Sequence, residues 1–193
     1  KKIIPAVLHF LIYVGFILIN IEVLEIILDG IFGTHRVFAS IFNNSYNYVI
    51  SFFEFLAILV IISCVFFLTR RNLLKIDRFQ KVELFGWPNL DANIILIAEI
   101  ILMVAILTMN AADLSLQSIN STNYTKTGLF IFSNSLTPLL SSYDENQLIF
   151  IERTAWWIHI VGIFSFALYV TYSKHLHIFL AFPNTYYANN ESL

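Results

Sequence analysis

Four long apolar stretches divide the chain, at about 4–28, 49–68, 92–110 and 154–172. Each approaches or exceeds the roughly 20 residues that an α-helix needs to cross a hydrocarbon core about 30 Å thick. The expected fold is therefore all-α and integral to a membrane, a four-transmembrane-helix bundle with small crossing angles. The segments between them differ. Asp29-Gly30 to Asn47 is expected to break the first helix at Gly30 and Gly33 and to return as a short interfacial segment. Arg70 to Leu90 alternates basic and apolar residues and turns at Gly86-Trp87-Pro88. It reads either as a surface amphipathic helix or as a solvated loop. Ala111 to Ile151 is rich in Ser, Thr and Asn, as in a functional lid or a partly disordered loop. The tail after Pro183 is polar, and no internal repeat is evident.

Composition agrees with a membrane setting. Of 193 residues, 58% are hydrophobic and 12% charged, against about 25% charged in soluble domains. A net charge of -2 points to no nucleic acid or acidic partner. Cys64 is the single cysteine, so this chain alone builds no disulfide frame, zinc site or iron–sulfur cluster. Phosphate-binding glycine loops and hydrolytic triads are absent from the sequence. Lys1-Lys2-Ile3-Ile4-Pro5 resembles the start of a signal peptide, but the apolar run continues to about Leu28 without a small-residue cleavage site. A retained helix is the expectation. Lys1, Lys2, Arg70, Arg71, Lys75, Arg78, Lys81 and Lys174 flank one side of the spans, while Arg36, Lys126 and Arg153 are spread over the other. The positive-inside rule then places both termini in the cytoplasm. Trp156 and Trp157 suit an outer aromatic belt, with Tyr172 and Trp87 at the inner boundary.

The histidines bring in chemistry. His159 and His177 are eighteen residues apart, five turns of one continuous helix and a rise of about 27 Å. On such a helix both rings share a face near opposite edges of the bilayer, an arrangement that suits axial ligation of two stacked haems. The plainer alternative is that basic and aromatic residues anchor helix ends. His9, at the cytoplasmic start of the first span, lies level with His177, and the two can hold one haem if their helices are neighbours. His159 then needs an outer partner. Chain order offers His35, which reaches only if the chain turns back after Gly30.

Tyr172-Ser173-Lys174-His175-Leu176-His177-Ile178-Phe179, with His159 upstream, resembles the last helix of the respiratory nitrate reductase gamma subunit. Leu8-His9-Phe10 resembles that family's Phe-His stretch. Glu152-Arg153-x-x-Trp156-Trp157-x-His159 and Ala181-Phe182-Pro183-Asn184-Thr185 look closer still to the membrane domain of heterodisulfide-reductase-like iron–sulfur oxidoreductases. The resemblance implies a haem b cytochrome with one or two haems in a bacterial or archaeal-type cytoplasmic membrane. It would exchange electrons between menaquinone or another quinone and a cytoplasmic iron–sulfur subunit or domain lying outside these residues. His177, His159 and His9 carry over as ligands. The family's second histidine on the first helix is replaced by Ile19, which leaves His35 as the substitute.

Carboxylates at membrane depth complete the expectations. Glu22, Glu25, Glu54 and Glu99 fall inside the spans, where ionisable groups are costly and face a bundle interior or a wet cavity. Quinol oxidation releases protons, and a carboxyl in a low-dielectric setting can take them. Glu54 with Glu22 or Glu25 is the candidate for that role, against a packing role in which they are hydrated or bond a neighbouring helix. Asn20 and Asn110 are expected to link helices. Two other classes stand beside the cytochrome: a haem-free anchor for a redox complex, and a small ion transporter using the four glutamates.

Overall fold

The computed structural model describes residues 3–74, 86–122, 124–173 and 176–187. Seven helices appear among them. They are α1 (Ile3–Phe32), the short α2 (Ala39–Phe42), α3 (Tyr46–Asn72), α4 (Trp87–Ser118), α5 (Ile131–Leu140), α6 (Glu145–Val170) and α7 (His177–Tyr186). A 3-10 turn, Asn43–Ser45, joins α2 to α3. Four helices are long and apolar enough to cross a membrane. The protein is an all-α, four-helix membrane bundle.

Heptad spacing sets the packing. The inward positions of α1 are Ile12, Gly15, Ile19, Glu22 and Ile26, and those of α4 include Ile95, Glu99, Leu102, Ile106, Met109 and Asp113. On α6 they are Leu148, Glu152, Ala155, His159, Phe166 and Val170. Steps of three and four residues keep one seam of each helix turned to its neighbour. Val7, Phe10 and Leu24 of α1 and Phe164 and Leu168 of α6 are exposed. Lipid is a suitable solvent for such outward positions, so both faces are apolar and the polar residues mark the inside.

Chain neighbours pack in sequence: α1 on α3, α3 on α4 and α4 on α6, with α5 laid against α4 and α3. The backbones of α1 and α6 are not among the closely packed pairs. Where helices do meet closely, a missing side chain allows it. A Cβ built on Gly15 would lie 2.6 Å from Val60 Cγ2, and one on Gly162 would lie 2.7 Å from Leu102 Cδ2. Val60 is stiff at χ1 and buried, so it has little room to yield. Gly15→Ala is expected to lower stability by about 1–3 kcal/mol. Thermal unfolding in detergent measures the loss, and adding Val60→Ala should restore much of it.

Several boundaries differ from the sequence-based expectation, for identifiable reasons. The fourth span begins at Glu145 rather than 154, because Asp144 and Gln147 form a capping box: Gln147 N–H donates to Asp144 Oδ1 at 2.8 Å and Asp144 N–H to Gln147 Oε1 at 3.0 Å. The third runs past Asn110 to Ser118, and α5 fills part of the outer segment expected to be a loop. Trp87 and Pro88 open α4 after Gly86, whose φ is 79°, instead of forming only a turn. Most of the Arg70–Leu90 link, residues 75–85, lies outside the described residues, as do Lys1, Lys2, Lys174 and His175. The continuous helix from His159 to His177 is not formed. α6 stops at Val170, and His177 opens α7 after a turn over Thr171–Ser173.

Candidate functional site

His9 and His177 meet at the end of the bundle that carries the termini. Their ring centres are 6.1 Å apart and their planes differ by 10°. His9 stands on the second turn of α1, and His177 is brought to it by the break after α6, so the pairing does not need the five-turn helix that the spacing suggested. Both residues are exposed.

His159 is fully buried at 0% exposure. Its Nδ1 lies 2.9 Å from the carbonyl oxygen of Leu102, which can only accept, so Nδ1 carries the proton. Nε2 is then left with a lone pair and has no hydrogen-bond partner among the described residues. It borders a cavity of about 270 Å³ between α1 and α6, whose other walls include Phe16, Val23, Val60, Glu99 and Phe166. Glu99 is buried as well, and its Oε1 has no partner.

His35 is not brought to His159. It faces Asp113 Oδ1 through Nε2 at 3.0 Å and Thr125 through Nδ1, 3.1 Å from the hydroxyl, so both ring nitrogens are engaged. Asp113 lies eleven residues beyond Leu102 on α4, a rise of about 16 Å. α1 runs through Gly30, where a break was expected, to Phe32, and the chain then turns back with φ of 66° at Gly33 and 57° at Arg36. That turn is organised by Asp29, whose carboxylate accepts from Arg36 N–H, Val37 N–H and the Thr34 hydroxyl at 2.9, 3.0 and 2.6 Å. What it delivers inward is Arg36.

Arg36 is the hub of the outer end, although along the chain it reads only as a topology-setting charge. It is 6% exposed. Its Nε and terminal nitrogen reach Asp113 Oδ2 at 2.8 and 2.7 Å, it donates to Asn110 Oδ1 at 2.6 Å, and Glu22 lies at 3.8 Å. Its guanidinium carbon also sits 5.2 Å from the centre of the Phe130 ring. Burial opposes the charge, but Tyr46 and the surrounding carboxylates outweigh it and hold the pKa well above the ordinary arginine value. Nearby, burial and the Glu152 carboxylate push the Tyr124 phenol up, and that phenol donates to Glu152 at 3.1 Å. One sequence signal for this hub existed: Asn110 and Asp113 continue the inward seam of α4 beyond the point where the apolar run ends.

The carboxylates expected to take protons are held in this network. Glu25 accepts from Phe38 N–H at 2.8 Å and from Tyr46 OH at 2.7 Å. Glu22 and Glu54 both accept from Asn110, at 3.2 and 3.4 Å. The other oxygen of Glu54 accepts from Phe132 and Ser133 N–H at 3.0 and 3.2 Å, capping the start of α5 from another helix. Glu54→Ala should therefore free that helix end at a cost of about 0.5–2 kcal/mol. Faster amide exchange at Phe132 and Ser133 is the readout, with Glu54→Gln milder because it keeps one acceptor.

Among the described residues, no group of three or more His, Cys, Asp or Glu side chains is placed to hold a metal ion. No protein-family model matches the chain, and no solved structure does. One curated relative is similar. It is the probable iron-sulfur-binding oxidoreductase FadF of Bacillus subtilis (strain 168), 23% identical over 187 residues. That alignment takes in 97% of this chain and 24% of FadF, so the chain spans about a quarter of its relative's length.

Proposed function

We propose that this chain is the membrane electron-transfer module of an iron–sulfur oxidoreductase, holding one haem b between His9 and His177. The observation that carries the reading is the facing of those two rings. An imidazole nitrogen binds a metal at about 2 Å, and the ring centre lies about 1 Å behind it, so two imidazoles on opposite sides of one iron have centres about 6 Å apart. In the structure the ring centres are 6.1 Å apart and the planes differ by 10°, a spacing that would admit one iron if a nitrogen of each ring turned toward it. With two protein ligands the rest of the coordination must come from elsewhere, and a porphyrin would provide it. Haem held by His9 and His177 would supply one-electron chemistry.

The similarity to FadF supports the oxidoreductase part of the reading. The partner would be an iron–sulfur subunit or domain on the side of the termini, and the electron donor or acceptor in the bilayer a quinone such as menaquinone. A bacterial or archaeal-type cytoplasmic membrane is the setting. His9 and His177 sit at the end that the positive-inside rule places in the cytoplasm, next to such a partner. The polar outer end serves to fix the bundle.

Haem quantified per polypeptide, with a reduced-minus-oxidised spectrum, tests this directly. One haem per chain is expected. Its absence from protein purified with haem available would overturn the proposal in favour of an anchor without a redox centre.

A further inference from the structure

The cavity at His159 is left over from this account, and it has unusual walls. Two residues that line it, from different helices, each carry a buried atom without a hydrogen-bond partner among the described residues, His159 Nε2 on α6 and Glu99 Oε1 on α4. Leaving a buried polar atom unsatisfied costs about 1–3 kcal/mol, so two at one site point to a missing occupant. Glu99 is three residues before Leu102, the residue that orients His159, so the two groups sit within about one turn of each other.

Three occupants can be weighed. A porphyrin would need a second axial ligand, yet α1 offers Phe16, Ile19, Asn20 and Val23 on the facing wall and no imidazole. The volume of about 270 Å³ is also below the roughly 300–1,000 Å³ of drug-sized sites, which suits one or two fused rings. Water alone would want two to four polar partners apiece, and the walls are mostly apolar. A flat ring with a hydroxyl at each end matches better. His159 Nε2 would accept from one hydroxyl, and the Glu99 carboxyl would bond the other. The cavity reaches residues that are exposed on the lipid face, Asn20 on α1 and Ala167 on α6. An apolar tail could leave between them.

We infer that this cavity binds a lipid-soluble hydroquinone, its ring held between His159 Nε2 and the Glu99 carboxyl in place of a second haem. The inference rests on the proposed function only for the class of molecule, and it assigns that molecule a place. Phe16 lines the inner end of the cavity, seven residues along α1 from His9, an axial distance of about 10 Å.

The test is calorimetric titration of the purified, haem-loaded chain in detergent with menadiol, kept reduced. Saturable binding of one equivalent is expected. His159→Leu and Glu99→Leu should each weaken it about tenfold through the lost hydrogen bond. Ala167→Phe, a change at an exposed position that narrows the mouth, should weaken it without touching the core. Haem at His9 and His177 reports folding in every variant and should stay at one per chain. Undiminished menadiol affinity in these variants, or no saturable binding by wild type, overturns the inference and leaves the haem reading standing. A wild type with two haems that drops to one in His159→Leu also overturns it, since the cavity is then a haem site. A chain with no haem defeats the proposed function, while the menadiol titration still decides this inference.

Discussion

His177→Ala protein should purify without the haem signal expected of wild type, and His9→Ala should behave the same way. The expected change is from one haem per chain to none, or to a residual high-spin species that exogenous imidazole converts back. The size of the effect follows from how the site is made. Two side chains from opposite ends of the sequence have ring centres 6.1 Å apart, and the described residues contain no group of three or more His, Cys, Asp or Glu placed to hold a metal in their stead. Removing either would leave the proposed haem with one of its two protein ligands. Misfolding is a poor rival explanation, because both residues are exposed and neither belongs to the packed seams. His35→Ala supplies the contrast. It should leave haem content unchanged while loosening the segment around Thr125, to which His35 is bonded. Full haem retention in His177→Ala would remove the basis of the electron-carrier reading.

Why the inner pair was legible and the outer pair was not is a matter of distance along the chain. His9 lies within a long apolar run, where depth can be counted in residues, and its partner sits just after another such run. Level could therefore be compared even though the helix carrying His177 is broken where the spacing implied continuity. His35 lies in a turn whose path depends on Asp29 collecting three donors, and no periodicity announces that. The same turn hides Arg36. A basic residue between spans reads as a topology signal, and only the folded chain shows it pointing inward to Asp113 and Asn110. Buried carboxylates were visible as residues but not as roles. Glu54 differs from Glu99 because α5 presents its first amides to one, whereas Oε1 of the other meets no donor among the described residues. The number of spanning helices followed from apolar length, whereas helix ends followed from capping, as at Asp144, which lies far outside the apolar window.

Arg36→Ala is expected to be the most destabilising single change at the outer end. Nothing in water would replace what it removes. The guanidinium is 6% exposed and touches α4 through Asp113 and Asn110, while Glu22 of α1 lies at 3.8 Å. Deleting one member of such a buried charged set costs about 3–5 kcal/mol, chiefly because the remaining charges keep their desolvation and lose their partner. Arg36→Lys should recover only part, since one ammonium cannot span Asp113 and Asn110 as the planar group does. Arg36→Ala combined with Asp113→Ala should be less damaged than the sum of the two single changes, because the second removes the charge that the first stranded. Thermal or denaturant unfolding in detergent measures all four variants. Near-additive losses would mean that Arg36 acts through packing against Phe130 and not through its charge. The location of the damage carries a second consequence. The network joins α1 to α4 at the outer end, and Gly30 of α1 lets Trp156 of α6 approach there, with a built Cβ only 2.9 Å from its ring. Between that end and the histidines, the backbones of α1 and α6 are not among the closely packed pairs. Loss of Arg36 should therefore loosen α1 first where it meets α4, and amide exchange should rise in its outer half before the segment around His9 responds.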